Sequence, residues 1–366
     1  MKLHYREHEL AFRTQFAELK ERTLQSGPLL SGTPGTLALR MGTGWSYWYR
    51  VFYPFAGKQS EEFVCKDGDE DILATMRERM AFASWAADQV SALRRLGFQV
   101  ADKSVARVLV ELYNRQAFAG GLVLVGTLAF MAWINELGIM TVAARTLDID
   151  LARREPLELV APLPLLATLQ ATGLPFTKVP GLPSHAPSTS VKLPGAQGLR
   201  VDLLAPGKRL GAIVATPELE WSAQAVPHYD YLLEDAVAAT VLAGGHCIPV
   251  RVPQAARFVW HKLYASTQRH GFQEKAVKDR QQALLIGAFL ARDDASSLMI
   301  AYAEAPSAMR DRIRSSRKVI EKDAETLPDL GELVKKCFAA SSPKTGAKPA
   351  RSKGVEPQAT RPRKKT

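Results

Sequence analysis

Cysteine is scarce in this sequence, and the few cysteines form no recognisable site. The chain of 366 residues contains three cysteines, and no Cys-x-x-Cys pair occurs among them. An odd number of scattered cysteines supports neither a disulfide framework nor a zinc cluster. The seven histidines show neither the His-Glu-x-x-His spacing of zinc proteases nor a pairing with cysteine. We therefore expect a cytoplasmic protein whose chemistry does not depend on zinc.

Two widespread nucleotide-binding signatures are also absent from the sequence. There is no Gly-x-x-x-x-Gly-Lys-Ser/Thr loop, and no Gly-x-Gly-x-x-Gly run follows a predicted strand. The first loop cradles phosphates in P-loop enzymes, and the second binds dinucleotides. Both classes of nucleotide site are therefore excluded.

Long uninterrupted apolar segments are missing as well. The N-terminus is a mixture of charged and apolar residues without a signal-peptide pattern. The uncharged run over residues 116–135 approaches the length of about 20 residues that a membrane span needs. Glycines interrupt this run, and it continues directly into an acidic segment. We expect no membrane association, although a membrane anchor here is the third alternative for the protein.

Positive charge is unevenly distributed along the chain. The net charge is +11, and residues 341–366 contain eight Lys or Arg residues against one Glu. This segment is also rich in Pro, Ser, Gly and Ala, so it is predicted to be a disordered basic tail. Such a tail can contact nucleic acid through phosphates, and it is equally compatible with a purely solubilising role.

The stretch over residues 120–151 organises the rest of the chain. Residues 122–125 form a short apolar run that predicts a buried strand, and Gly126-Thr127 ends it. Residues 128–137 predict a helix that stops at Gly138. In the strand predicted over 145–151, Asp148 and Asp150 alternate with apolar residues, so both carboxylates point to one face.

A third carboxylate follows in a similar pattern. Asp202 lies in an alternating segment, residues 199–204, that predicts another strand, and there it shares a face with Arg200. If the two acidic strands are neighbours, three carboxylates converge. Carboxylate oxygens suit a hard divalent ion such as Mg²⁺. Three such groups can build a two-metal site for phosphoryl transfer, with ions about 3.5–4 Å apart.

Together these segments resemble the DNA polymerase β-like nucleotidyltransferase superfamily. The resemblance rests on Val125-Gly126-Thr127, on the run from Arg145 to Leu151 (Arg-Thr-Leu-Asp-Ile-Asp-Leu), and on Val201-Asp202-Leu203. The pattern looks most like the stand-alone bacterial nucleotidyltransferases related to abortive-infection toxins. Thr127 departs from it, since Ser or Gly is commoner there, and its methyl group adds bulk beside the phosphates.

The resemblance implies a reaction and roles for particular residues. An NMP unit would move from an NTP to an acceptor hydroxyl, on an RNA end or a protein side chain, with release of pyrophosphate. Two Mg²⁺ ions, or Mn²⁺ in their place, would be held by Asp148, Asp150 and Asp202, and Asp202 could also orient or deprotonate the hydroxyl. The nucleotide-binding residues would be Gly126, Thr127, Arg145, Thr146, Lys262, Arg269 and Lys278. An antitoxin partner is compatible with this group.

Simpler explanations exist for each piece alone. An isolated Asp-x-Asp is most often a solvated strand edge, and Lys262, Arg269 and Lys278 could be ordinary surface charges at helical spacing. The main alternative function is therefore a non-catalytic nucleic-acid-binding protein built on a nucleotidyltransferase scaffold. All three acids are present, which favours the enzyme.

The predicted fold class is α+β, with a mixed-sheet nucleotidyltransferase core between an N-terminal β-meander and helical region and a C-terminal α-helical domain. We expect an N-terminal region over residues 1–118, a catalytic core over 119–253 and a helical domain over 254–340 before the tail of 341–366. Residues 36–65 predict the meander, whose aromatic and basic residues could stack bases or simply pack. Residues 236–252 predict a hairpin that extends the catalytic sheet.

Overall fold

Four β-sheets and a surrounding set of helices build the part of the chain that the structure describes. This computed structural model describes residues 6–55, 57–269 and 271–340. The predicted basic tail, residues 341–366, lies outside them. The fold is α+β, with mixed sheets and a helical C-terminal region, which confirms the predicted fold class. Within the described ranges, no helix is both long enough and apolar enough to span a membrane.

The N-terminal region combines helices with the predicted β-meander. The meander is a three-stranded antiparallel sheet in the order β2-β3-β4. Helix α3 presents one strongly apolar face to the main core, as its spacing of Val and Leu residues requires. The elements are β1 (Arg6–Glu7), α1 (Leu10–Gln25), β2 (Thr36–Met41), β3 (Ser46–Phe55), β4 (Lys58–Lys66), α2 (Glu70–Arg95), β5 (Val100–Ala101) and α3 (Lys103–Asn114).

A mixed seven-stranded sheet forms the centre of the molecule. Its elements and neighbours are β6 (Val123–Val125), α4 (Gly126–Glu136), β7 (Ile139–Met140), β8 (Asp148–Ala152), α5 (Leu165–Ala171), β9 (Thr177–Lys178), β10 (Ser190–Lys192), β11 (Arg200–Pro206), β12 (Ile213–Thr216), a 3₁₀ turn (Pro217–Leu219), β13 (Trp221–Val226) and α6 (Tyr229–Leu233). Strand β7 is outside this sheet and pairs with β1.

The three strands predicted to carry the site lie side by side in this sheet. Strand β8 pairs with β6 in antiparallel and with β11 in parallel orientation. Both acidic strands alternate between buried apolar residues and partly accessible polar ones, because one face packs on the core. The first acidic strand begins at Asp148, later than predicted, because the Thr146 hydroxyl hydrogen-bonds the backbone of Asp148 and shapes a local turn.

The predicted hairpin forms, but its predicted place was wrong. Strands β14 (Val237–Ala243) and β15 (His246–Val252) pair through a tight Gly244-Gly245 turn. They join β5 in a separate three-stranded sheet instead of extending the catalytic sheet. Helix α4 covers β14, and the backbone N–H of Thr240 donates to Glu136 at the end of α4. The hairpin therefore packs against helix α4, which begins at Gly126.

Helices make up the C-terminal region, as the sequence predicts. They are α7 (Ala255–Thr267), α8 (Gln273–Asp293), α9 (Ala295–Glu304), α10 (Ser307–Ser315), α11 (Arg317–Ala324) and α12 (Pro328–Ala340). Trp260 on α7 is fully buried, and its indole N–H donates to the Leu298 carbonyl of α9. One continuous apolar core runs from α3 through the central sheet into these helices. Helices α7 and α8 are thereby fixed opposite the sheet.

Candidate active site

The acidic residues line an open cleft between the central sheet and helices α7 and α8. The cleft, called here the carboxylate cleft, has a volume of about 510 Å³. Asp148, Asp150 and Asp202 lie on the sheet side, together with Gly126 and Thr127 at the start of α4. The opposite side carries Lys262, Arg269, Lys275 and Lys278, which we call the basic wall. Anionic and cationic groups therefore face each other across one cavity.

Strand pairing brings the carboxylates together. Asp150 on β8 is the direct partner of Asp202 on β11, and Asp148 is the partner of Arg200 in the same register. On its other side Asp150 is paired with Val125, the last residue of β6. Since paired residues on adjacent strands point to the same face, Asp150 and Asp202 must be neighbours. The structure thus groups the three predicted acids.

Gly126 is required by its contact with Asp150. Its φ of +68° lies in the left-handed region that disfavours residues with a Cβ atom. A Cβ atom at this position would also overlap the Oδ2 atom of Asp150. Thr127 follows as a buried residue in the first turn of α4. The unpaired N–H groups and the dipole of this helix end favour an anion in the cleft.

The environment of Asp150 disfavours its negative charge. Burial and, next, the charge of Asp202 raise the pKa of Asp150 to about 6. Tyr229 lies beside it, and burial followed by the charge of Asp150 raises the pKa of the tyrosine hydroxyl far above its usual value. Ionised Asp150 therefore needs a nearby cation. Lys262 and Arg269 partly supply one from the basic wall.

Asp202 is held by its neighbours on the sheet. Arg200 Nε donates to Asp202 Oδ1 at 2.7 Å, and the Ser190 hydroxyl donates to the same oxygen. Arg200 Nη2 in turn donates to the Ser190 hydroxyl at 2.7 Å. Among the residues described, no group of three His, Cys, Asp or Glu side chains is arranged to hold a metal ion. Arg200 and Ser190 both donate to the Oδ1 atom of Asp202, so among the described residues its Oδ2 atom is left for a metal ion.

The chemistry of the donor set nevertheless fits Mg²⁺. Asp148 and Asp150 supply carboxylate oxygens on one face, and Asp202 adds a third carboxylate directly beside them. Burial and then the charge of Asp202 raise the pKa of Asp150, so its negative charge is unfavourable without a cation. Mn²⁺ would suit the same oxygen ligands.

Asp279 organises the basic wall. Its carboxylate is buried and accepts from Lys262 Nζ at 2.7 Å and from Arg269 Nε at 3.1 Å. Burial alone would raise the pKa of Asp279, but these two partners outweigh it and lower the pKa below the usual value. Burial and the charge of Lys262 lower the pKa of Lys278. Lys275 and Lys278 line the cleft beside this cluster, and Lys278 interacts electrostatically with Asp279, Asp148 and Asp150.

The structure does not bring every predicted residue into the cleft. Thr146 lines it, although its hydroxyl is used by the backbone of Asp148. Arg145 is exposed in the turn before β8 and does not line the cleft. Its predicted role in nucleotide binding thus has no support from this conformation.

Arg200, Tyr229 and His261 also line the cleft, although the sequence assigned them no role. The alternation correctly places Arg200 on the face of Asp202, but it does not indicate the ion pair between them. Tyr229 and His261 could not be placed from the sequence, because their places depend on how α6 and α7 pack. Burial, and then the charge of Lys262, lower the pKa of His261 to about 3, so this imidazole is neutral at physiological pH. His261 is therefore an uncharged side chain of the cleft.

Comparison with known proteins identifies the family. A family model described as a nucleotidyltransferase matches residues 103–307, which is more than half of the chain. The chain belongs to this nucleotidyltransferase family. The match includes the three acids and the basic wall of the transferase.

A solved structure and the curated proteins add little to this assignment. The crystal structure of an antigenic nucleotidyltransferase-like protein from Paracoccidioides brasiliensis is 14% identical, and the match covers 63% of this chain and 91% of that one. Its TM-score of 0.31 is too low to support a conclusion. No curated protein matches the sequence.

Proposed function

We propose that this nucleotidyltransferase uses Mg²⁺ to transfer an NMP unit from an NTP to an acceptor hydroxyl. The observation that carries the proposal is the direct pairing of Asp150 with Asp202 at one side of a cleft whose other side is basic. A nucleoside triphosphate complements this arrangement, because its phosphates need cations on both sides. The acids would hold metal cations on one side of the phosphates, and the basic wall supplies cationic side chains on the other side.

Each residue has a task that follows from its place. Asp148 and Asp150 would hold the metal ions, and Asp202 would bind one of them while accepting a hydrogen bond from the acceptor hydroxyl. When bound, two Mg²⁺ ions would supply charge stabilisation for the attacking and leaving oxygens. The start of α4 at Gly126 and Thr127 would hold the terminal phosphates. Lys262 and Lys278 would neutralise phosphate charge from the basic wall.

Two classes of acceptor fit the proposed reaction. An RNA end suits the basic segment of residues 341–366, which lies outside the described residues. A protein side chain with a hydroxyl fits the same reaction. The Arg-Thr-Leu-Asp-Ile-Asp run supports a relationship to the abortive-infection toxins, and with it an antitoxin partner.

Labelled nucleotides test the proposal directly. The purified full chain is incubated with each α-labelled NTP, Mg²⁺ and either total RNA or cell protein, and the labelled product is identified. We expect Mg²⁺-dependent labelling of one acceptor class, loss of labelling in Asp150→Asn, and retention in Asp71→Asn, which changes an exposed acid on α2. Labelling that persists in Asp150→Asn would contradict the assignment of the metal site.

A second function is supported by one specific observation. Asp202 is paired with Arg200, and a protein that only binds nucleic acid could keep this pair permanently. In that case the wild-type chain would bind RNA but would transfer label from none of the NTPs to any acceptor. Binding measured by filter retention beside the labelling assay separates the two functions.

A further inference from the structure

A second pocket lies at the N-terminal side of the molecule, away from the carboxylate cleft. It has a volume of about 560 Å³, which is within the range of small-molecule sites. Its walls are the end of α1, the link over residues 26–30, one face of α2 and the turn of the β14–β15 hairpin. It shares no lining residue with the carboxylate cleft. No step of the proposed transfer uses it.

An incompletely satisfied arginine marks the polar side of this pocket. Arg79 donates from Nη2 to the Pro28 carbonyl at 3.2 Å, while its buried Nε–H has no acceptor among the described residues. A buried guanidinium N–H without a partner is unfavourable. Arg22 lies on the same pocket, with its guanidinium 3.9 Å from the centre of the Trp85 ring. Two arginines therefore border one cavity.

Another arginine adds positive charge nearby. Arg50 is almost completely buried, and it pairs with Glu62 and donates to the carbonyls of Ser31 and Thr33. Burial lowers the pKa of Arg50, and the charge of Arg79 lowers it further. An anion beside Arg79 would offset this repulsion.

The rest of the pocket suits an apolar body. Leu29 and Leu30 are buried in the link, and Phe82, Ala83 and Ala86 line the wall formed by α2. The one acidic residue of the described lining is Glu78, which is exposed. Arg79, Phe82, Ala83 and Ala86 share one face of α2, so a ligand in the pocket would meet the guanidinium and the apolar groups along the same wall.

We propose that this pocket binds a small organic anion, with a carboxylate or phosphate monoester on Arg79 and an aliphatic or aromatic body against Leu30 and Phe82. The Arg79 guanidinium lines the pocket and makes one hydrogen bond to a described residue, the Pro28 carbonyl, so its terminal N–H groups can donate to a ligand, and Arg22 adds a second charge. Both acidic groups present oxygen acceptors that match a guanidinium. A small inorganic anion would lack the contacts that the apolar wall offers to an organic body.

Calorimetric titration of the full chain tests the proposal with three probes. Octanoate and phenyl phosphate carry the two acidic groups on apolar bodies, and 1-octanol is the uncharged counterpart of octanoate. We expect saturable binding of one molecule per chain for at least one anion, and binding of 1-octanol at least tenfold weaker. The anion that binds more tightly identifies the preferred combination of acidic group and apolar body. If neither anion binds, the proposal is wrong.

Substitutions on one helix locate the bound probe. Arg79→Met should weaken anion binding at least tenfold, and Arg77→Met is the matched control, because Arg77 is exposed and pairs with Glu70 outside the pocket. Glu78→Gln should tighten binding by removing a like charge. Ala83→Phe should abolish it by filling the cavity. If Ala83→Phe fails to fold, the anion affinities of Arg79→Met and Arg77→Met still test the proposal. Equal affinities in these two variants would overturn it.

Discussion

Gly126 and Asp150 fit against each other so closely that no side chain can be added between them. The carboxylate occupies the space that a Cβ atom of Gly126 would take, and the glycine itself has a left-handed φ of +68°. Gly126→Ala should therefore cost about 1–2 kcal/mol of backbone strain and also displace Asp150. Because a displacement of about 1 Å can cost about 100-fold in rate, we expect at least a tenfold loss of nucleotide transfer.

Gly27→Ala is the matched control for this substitution. Gly27 has a similar φ of +72°, but no atom of the described residues lies within 4 Å of the position that a Cβ atom would take there. Its replacement should lower the melting temperature without changing transfer. Equal loss of transfer in both variants would show that backbone strain alone, and not the fit to Asp150, controls the site.

Asp150→Asn should stabilise the metal-free protein in a pH-dependent way. Folding raises the pKa of Asp150 from 3.8 to about 6, so the folded state loses stability as the pH rises through this interval. The amide removes that penalty, which amounts to at most about 3 kcal/mol above pH 6. We expect a higher midpoint of urea unfolding than wild type at pH 7.5 and no difference near pH 4. Asp148→Asn, at an exposed position, should also abolish transfer.

Asp279→Asn should destabilise the chain more than Lys262→Met. The first change leaves Lys262 and Arg269 without their shared buried carboxylate, whereas the second leaves Asp279 paired with Arg269. Removing one partner of a buried ion pair costs about 3–5 kcal/mol. The pKa of Asp279 is lowered on folding, so its contribution is present at neutral pH and is lost as the pH falls through the lowered value. Urea unfolding at pH 7.5 and pH 3 measures both effects.

Lys262→Met should also weaken NTP binding while the response to Mg²⁺ remains. Lys262 lies on the basic wall and the acids lie across the cleft, so the two contributions are separable. Thermal shifts with NTP, with Mg²⁺ and with both resolve them. Loss of the Mg²⁺ response in this variant would place Lys262 with the metal site instead.

Arg200→Gln should increase the affinity for Mg²⁺. Arg200 holds Asp202 through a 2.7 Å contact, and its positive charge opposes a metal ion at the same carboxylate. Since a partly exposed ion pair is worth about 1 kcal/mol, we expect about fivefold tighter binding in a calorimetric titration with Mg²⁺. Arg209→Gln, on an exposed loop, should leave the affinity unchanged. A weaker affinity in Arg200→Gln would mean that Arg200 positions Asp202 for the metal.

The sequence predicts the acidic side of the cleft better than the basic side. Alternation around Asp148, Asp150 and Asp202 is a local signal, and it correctly places their strands in one sheet. The roles of these acids stay predictions. The β14–β15 hairpin shows the limit of such signals, because its turn is encoded locally while its partner β5 is far away in the chain. Likewise, nothing near Lys262 indicates that Asp279 is shared with Arg269.

The parallel pairing of β8 with β11 has a consequence for how activity arises during folding. Parallel neighbours cannot form through a tight turn, so the long segment between them must be closed first, and such non-local pairing is slow. The basic wall comes from α7 and α8, which are made later still. A partly synthesised chain that ends before α8 would have the acids but not Asp279 and its partners. Transfer should therefore appear only when synthesis has passed this helix, so that shorter nascent chains are inert.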